Sequence, residues 1–258
     1  MSQKVTTRVS GFIGEIVISN PERKNAMSME MWWQLRLAAE EMRANDYVRV
    51  VVVHGTNATF VAGADITEFR AMRQNGSSGL EYDRNTEDAL SALVQIPKPT
   101  IAAIEGFCIG GGVSIAVACD FQIADAEAKF QIPAARLGIS YPLGSLRRLV
   151  NLIGAANTKR MIFTAARLDA AEALSLGLIS EIVPGSLDAR VEELARQLGE
   201  NAPLSILATK RLVASIALAN DDLKDLGEEL FELTLASTDY AEALNAFDEQ
   251  RKPNFQGR

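Results

Sequence analysis

The sequence predicts an α/β fold with a helical C-terminal part, and three observations carry that expectation. Strand-like and helix-like patterns alternate from the start of the chain to about residue 190, and only helix-like patterns follow. The run Val48 to Val53 is continuously apolar, as expected of a parallel strand buried on both faces. Three successive glycines, Gly110 to Gly112, stand between an apolar run that reads as a strand, Thr100 to Ile104, and one that reads as a buried helix, Val113 to Cys119. The boundary is therefore placed near residue 190, with residues 1–190 as an α/β core and residues 191–258 as a helical region.

Each element has a local reason. Residues 4–9 and 12–19 alternate as two strands, with Ser10-Gly11 as the turn. Asn20-Pro21-Glu22-Arg23-Lys24-Asn25 is a polar turn, and Ser28 can cap the helix that follows. In that helix Trp32, Leu35, Ala39 and Met42 share one face. Strand, helix and strand then imply a right-handed crossover. Residues 67–80 read as a short helix giving way to Asn75-Gly76-Ser77-Ser78-Gly79, the most flexible-looking stretch of the chain. A helix over about 82–94 comes next, and Pro97-Lys98-Pro99 force an extended entry into strand 100–104. Phe121 to Ala124 and Lys129 to Ile132 read as short strands, Asp169 and Glu172 as a reciprocal cap, and Leu178 to Val183 as a last strand. Leu187, Val191, Leu194 and Leu198 form a helix stripe, and three more helices are expected at about 203–219, 222–235 and 238–250. This amphipathic set must bury its apolar faces on its own core or on a partner subunit.

Bulk properties exclude several classes. The 258 residues, 48% of them hydrophobic, suffice for one large domain or one domain with an appendage. No apolar run approaches the roughly 18 residues of a membrane span, and Met1-Ser2-Gln3-Lys4-Val5 has no targeting pattern. A soluble, cytoplasmic protein is expected. A net charge of −7 without a basic stripe argues against nucleic acid, though not against a phosphorylated small molecule. Cys108 and Cys119 lie in apolar surroundings as free thiols, and no Cys/His cluster has metal-ligand spacing. His54 is the one histidine, and its place at the end of an apolar run reads as a solvated strand end.

The chemistry-bearing segments are Ala62-Gly63-Ala64-Asp65 and Gly110-Gly111-Gly112. Glycines expose bare backbone and tolerate dihedrals that side chains forbid. A tight turn packed on a neighbour would use the same residues. Each segment follows a strand in a parallel arrangement, where ligands bind outside the strands' carboxyl ends. Two amides converging from two such loops make an oxyanion hole.

At this point the chain resembles the crotonase, or enoyl-CoA hydratase/isomerase, superfamily. The carriers are Asn20-Pro21-Glu22-Arg23-Lys24-Asn25-Ala26, Phe60-Val61-Ala62-Gly63-Ala64-Asp65-Ile66, Lys98-Pro99-Thr100-Ile101-Ala102-Ala103-Ile104-Glu105-Gly106, the glycine run, Cys119-Asp120, and Ala171-Glu172-Ala173-Leu174 through Gly177-Leu178-Ile179. The resemblance covers essentially the whole chain. It implies a spiral of ββα turns, a helical C-terminal region used in forming a trimer or a hexameric dimer of trimers, and an acyl-CoA thioester as substrate. No cofactor is implied beyond the coenzyme A that the substrate carries. By position, the oxyanion-hole amides are those of Ala64 and Gly111. Ala26, Ala62, Asp65, Ile66, Thr67, Gly110, Ser114 and Ala134 fall in the substrate path, and Lys24 becomes a contact for a CoA phosphate.

The departures matter as much. Hydratases of the family carry two glutamates where this chain has Ser114 and Ala134, and the isomerase-type glutamate gives way to Ser140-Tyr141-Pro142-Leu143. Adding water needs one group to activate it and another to deliver a proton. The run Leu137-Gly138-Ile139-Ser140-Tyr141 and the C-terminal Asn245-Ala246-Phe247 through Arg251-Lys252-Pro253-Asn254-Phe255 resemble methylmalonyl-CoA decarboxylases. That local resemblance implies a lyase acting on a malonyl- or methylmalonyl-type thioester, with Tyr141 orienting the carboxylate. A hydratase or isomerase using another carboxylate, with Glu68, Glu81 and Asp83 as candidates, is the alternative. An acyl-CoA-binding protein with weak or no catalysis is the third.

Overall fold

A computed structural model of the chain describes residues 4–65, 67–68, 76–217 and 223–258. The two N-terminal strands, β1 (Lys4–Ser10) and β2 (Ile13–Ser19), pair antiparallel. Helix α1 (Met29–Ala44) starts at Ser28, whose hydroxyl accepts from the Met31 amide, and its expected face of Trp32, Leu35, Ala39 and Met42 is buried. Strand β3 (Val50–Gly55) then lies parallel to β2, as the crossover requires. Helix α2 (Gly76–Val94) leads to β4 (Thr100–Ile104), buried along its whole length. With β6 (Phe121–Asp125) and β9 (Glu181–Val183), these form a six-stranded sheet in the order β1-β2-β3-β4-β6-β9.

A second sheet joins β5 (Phe107–Ile109), β7 (Lys129–Gln131) and β8 (Leu168–Asp169). It changes one expectation. The glycine run does not leave β4 directly, because β5 intervenes and carries it into the other sheet. Helix α3 (Gly111–Ala116) begins in that run. The stretch expected to be most flexible also differs, since Gly76 to Gly79 form the first turn of α2. Glycine costs only about 1 kcal/mol in a helix interior, and the helix continues into the well-packed residues up to Val94. Of the helix expected over 67–80, residues 69–75 lie outside the described residues.

The chain continues with α4 (Leu143–Thr164), α5 (Ala170–Ser175) and α6 (Leu187–Gly199). Asp169 and Glu172 form the reciprocal cap of α5. Of the strand expected from Leu178, only Glu181–Val183 pairs, with β6. Helix α6 runs through residue 190 and packs Leu187, Val191 and Ala195 on the sheet face formed by Val50, Val52, Ile101 and Ile123. The other face carries the main core, with Trp32, Phe60, Leu90 and Phe130. Helices α7 (Pro203–Ala217), α8 (Leu223–Leu235) and α9 (Thr238–Asp248) complete the chain. Cys108 and Cys119 are buried and free. Among the described residues no helix is long and apolar enough to cross a membrane, and no three His, Cys, Asp or Glu side chains group as a metal site would need.

Candidate active site

Backbone geometry brings the two expected loops together. Val61 bridges Cys108 of β5, and Met27 bridges Ala64. The Met27 amide donates to the Gly63 carbonyl and the Asp65 amide donates to the Met27 carbonyl, each at 2.8 Å. The Ala64 amide between them therefore faces away from Met27. Gly111 opens α3, where an amide has no partner within the helix. The preceding Gly110 has φ +51° and ψ −106°, a conformation that favours glycine. Gly112 serves closeness instead, since a Cβ there would stand 2.4 Å from the Val61 carbonyl oxygen. The two loops touch, because the carbonyl carbon of Gly63 lies 4.0 Å from where a Gly111 Cβ would be.

Ala64 and Gly111 line one cavity of about 160 Å³, together with Ala62, Gly110, Ser114 and Ala134. A cavity of about 150 Å³ admits benzene, so this one has room for a small organic group. Trp32 and Ile132 contribute apolar wall, and α2 covers the cavity with Tyr82, Asp83 and Thr86. The Trp32 indole donates to the Tyr82 hydroxyl at 3.0 Å, which ties α1 to α2 across the site.

The three candidate carboxylates separate clearly. Glu68 accepts from the Met29 amide at 2.9 Å and so caps the start of α1. Glu81 is exposed on α2. Asp83, two residues further on, lines the cavity. Asp65 and Thr67 are held by Arg23, which donates to the Asp65 carboxylate at 2.6 Å and the Thr67 hydroxyl at 2.7 Å. Ala26 is buried behind this turn, and Ile66 lies outside the described residues. The Lys24 ammonium stands 4.6 Å from the centre of the Phe107 ring, and Arg167 approaches the same ring at 5.9 Å. Arg167 escaped the sequence reading because it lies far from Lys24 along the chain and in no recognised motif. His54 faces the Glu15 carboxylate at 3.0 Å, outside the cavity lining.

Tyr141 also lines the cavity. Its hydroxyl is 2.5 Å from the Ser114 hydroxyl and 3.0 Å from the Gly110 carbonyl oxygen. A carbonyl only accepts, so the phenol proton goes to Gly110 and Ser114 donates to the phenol. Burial pushes the Tyr141 phenol above its ordinary value, while the Ser114 hydrogen bond works in the opposite direction. The phenol is therefore a neutral donor over the working pH range.

Two glycine- and alanine-rich backbone segments and one carboxylate thus line a small, largely apolar cavity, an arrangement that can serve chemistry at a carbonyl oxygen. The model of the enoyl-CoA hydratase/isomerase family matches residues 8–258. The chain is 33% identical over 256 residues to the enoyl-CoA isomerase/hydratase fer4 of Mycosarcoma maydis, covering 94% of this chain and 92% of that one. It is 32% identical over 245 residues to the short-chain-enoyl-CoA hydratase of Clostridium acetobutylicum, covering 94% and 93%. The crystal structure of an enoyl-CoA hydratase/carnitine racemase from Magnetospirillum magneticum superposes with a TM-score of 0.95 at 30% identity, covering 98% of this chain and 96% of that one. The protein belongs to the enoyl-CoA hydratase/isomerase family and has the crotonase fold.

Proposed function

We propose that the protein is an acyl-CoA enzyme of the hydratase/isomerase type that forms a thioester enolate at the Ala64 and Gly111 amides and moves its proton with Asp83. The observation that carries this reading is that Asp83 lines the same cavity as Ala64 and Gly111. Among the described residues it is the one carboxylate on that wall. Shifting a double bond needs a single base that removes a proton at one carbon and returns it at another. Adding water needs two groups, and Ser114 and Ala134 stand where the family's pair of glutamates would be. The site's chemistry therefore favours isomerisation of a 3-enoyl to a 2-enoyl thioester. Hydration is the second reading, supported by the name of the Clostridium relative.

The malonyl-type lyase expected from Tyr141 is the weaker reading. The Tyr141 proton is already given to Gly110, and the Asp83 carboxylate would repel a substrate carboxylate in so small a pocket. The relatives carry hydratase and isomerase names rather than a decarboxylase name. Lys24 and Arg167, both exposed beside Phe107, offer two cations to a CoA phosphate. The reaction draws on no cofactor beyond the coenzyme A of the substrate. The setting is a cytoplasmic trimer or dimer of trimers.

The experiment is to supply 3-hexenoyl-CoA and follow the rise of the conjugated thioester absorbance, with crotonyl-CoA as the hydration control. Asp83→Asn should lower kcat by about 10²- to 10⁴-fold while acyl-CoA binding persists. Wild-type turnover by that variant removes Asp83 from the mechanism, and no turnover of either substrate by the wild type removes the reading.

A further inference from the structure

We infer that Tyr141 is a positioning residue whose hydroxyl, backed by Ser114, orients and polarises the peptide that carries the Gly111 oxyanion-hole amide. The Gly110 carbonyl and the Gly111 amide are the two ends of one planar peptide unit. The carbonyl end accepts the Tyr141 hydroxyl at 3.0 Å and the Ser114 amide at 3.1 Å. Ser114 then closes the ring of contacts through its own hydroxyl, 2.5 Å from that of Tyr141. A directed chain results, in which the Ser114 hydroxyl donates to the Tyr141 hydroxyl and Tyr141 donates to the Gly110 oxygen. The chain ends at the Gly111 N–H, which the proposed function assigns to the thioester oxygen.

Hydrogen bonds in such chains polarise one another. A donor on the carbonyl end of a peptide draws electron density toward its oxygen and leaves the N–H at the other end more positive. That gain is largest when the thioester oxygen carries enolate charge, so it favours the transition state over the bound substrate. Gly110 has an additional need for an anchor. At φ +51° and ψ −106° it occupies a conformation that its own backbone does not specify, and the Tyr141 and Ser114 contacts hold its peptide plane. This role also accounts for a serine at position 114, since its short hydroxyl-bearing side chain is buried at hydrogen-bond distance from the phenol.

The inference rests on the acyl-thioester reading of the site, and the test separates the two. Butyryl-CoA, isotope-labelled at the thioester carbonyl, undergoes neither isomerisation nor hydration, and its infrared carbonyl stretch reports polarisation directly. Bound to the wild type, the stretch should move to lower frequency than in solution. In Tyr141→Phe most of that displacement should disappear with affinity kept within about twofold, and kcat on the turnover substrate should fall about 10-fold with KM little changed. Ser114→Ala, which keeps the Tyr141–Gly110 bond, should fall between the two. A Tyr141→Phe protein that folds, binds butyryl-CoA and shows the wild-type band overturns the inference and leaves the acyl-thioester reading intact. Should that variant not fold, a wild-type band in Ser114→Ala overturns it equally. A wild type that binds no butyryl-CoA removes the acyl-thioester reading, and the inference with it.

Discussion

Tyr141 gives its one proton to the Gly110 carbonyl and accepts one from Ser114, and its burial there has a consequence for stability. Burial raises the phenol above the ordinary value of 10.0 in the folded state. The unfolded chain ionises near that ordinary value. Below it both states are protonated and the contribution is complete. Above it the unfolded state loses the proton first, so stability declines as pH rises, by up to about 1.4 kcal/mol per pH unit until the folded phenol also ionises. Urea denaturation from about pH 8 to about pH 11 should show a steeper alkaline loss for the wild type than for Tyr141→Phe. Parallel slopes would mean that the phenol is open to solvent in the folded protein. At this same scale the sequence was partly legible. The substitutions at Ser114 and Ala134 and the tyrosine after Leu137-Gly138 are visible in one dimension. Which of Glu68, Glu81 and Asp83 reaches the cavity is not, because it depends on the rotation of α2 about its axis. That rotation places Tyr82, Asp83 and Thr86 inward and Glu81 outward. It is fixed by contacts such as the Trp32–Tyr82 hydrogen bond, which joins residues 50 apart in sequence.

Among the elements, α3 matters most to the site. It is six residues long, and its position is set by the approach of Gly112 to the Val61 carbonyl rather than by any cap side chain. Gly112→Ala puts a methyl group 2.4 Å from a backbone oxygen that cannot rotate away, since Val61 is held between Phe107 and Ile109. Overpacking of that kind costs about 1–3 kcal/mol. The variant should lose about that much in denaturant titration, and its kcat should fall more than its acyl-CoA affinity, because the Gly111 amide moves with the helix. Full stability in Gly112→Ala would show that α3 tolerates displacement. The elements that read well in the sequence are those whose partners follow closely or whose pattern is long, such as α1, β3 and α6. The strand β5 did not read, because three residues carry no periodicity and its partner β7 begins 20 residues after it ends. The glycine-rich start of α2 also misled, because composition there outweighed the helix that continues behind it.

For the whole molecule, the question is what covers the C-terminal helices. Val213 and Ile216 on α7, Phe231 on α8 and Phe247 on α9 are each at least 60% exposed. Single exposed apolar residues are ordinary, whereas large ones gathered on one surface mark a subunit contact. A stable interface buries about 1,200–2,000 Å², which faces on three helices can supply. A protein that hides these faces between copies should sediment at three or six times the chain mass at micromolar concentration. Replacing Phe231 and Phe247 together with aspartate puts charge into the centre of such an interface, where an unpaired ion costs several kcal/mol. The double variant should sediment as a monomer or a weak, concentration-dependent oligomer, and its thermal midpoint should drop because assembly no longer contributes by mass action. Both phenylalanines project from helices with few buried residues of their own, so the change leaves the core that holds Ala64, Gly111 and Asp83 unaltered. Acyl-CoA binding by the dissociated variant therefore decides whether the cavity is complete within one chain. Undiminished trimer or hexamer mass in the double variant would place the subunit contact elsewhere, and a wild type that sediments as a monomer at all concentrations would end the assembly proposal.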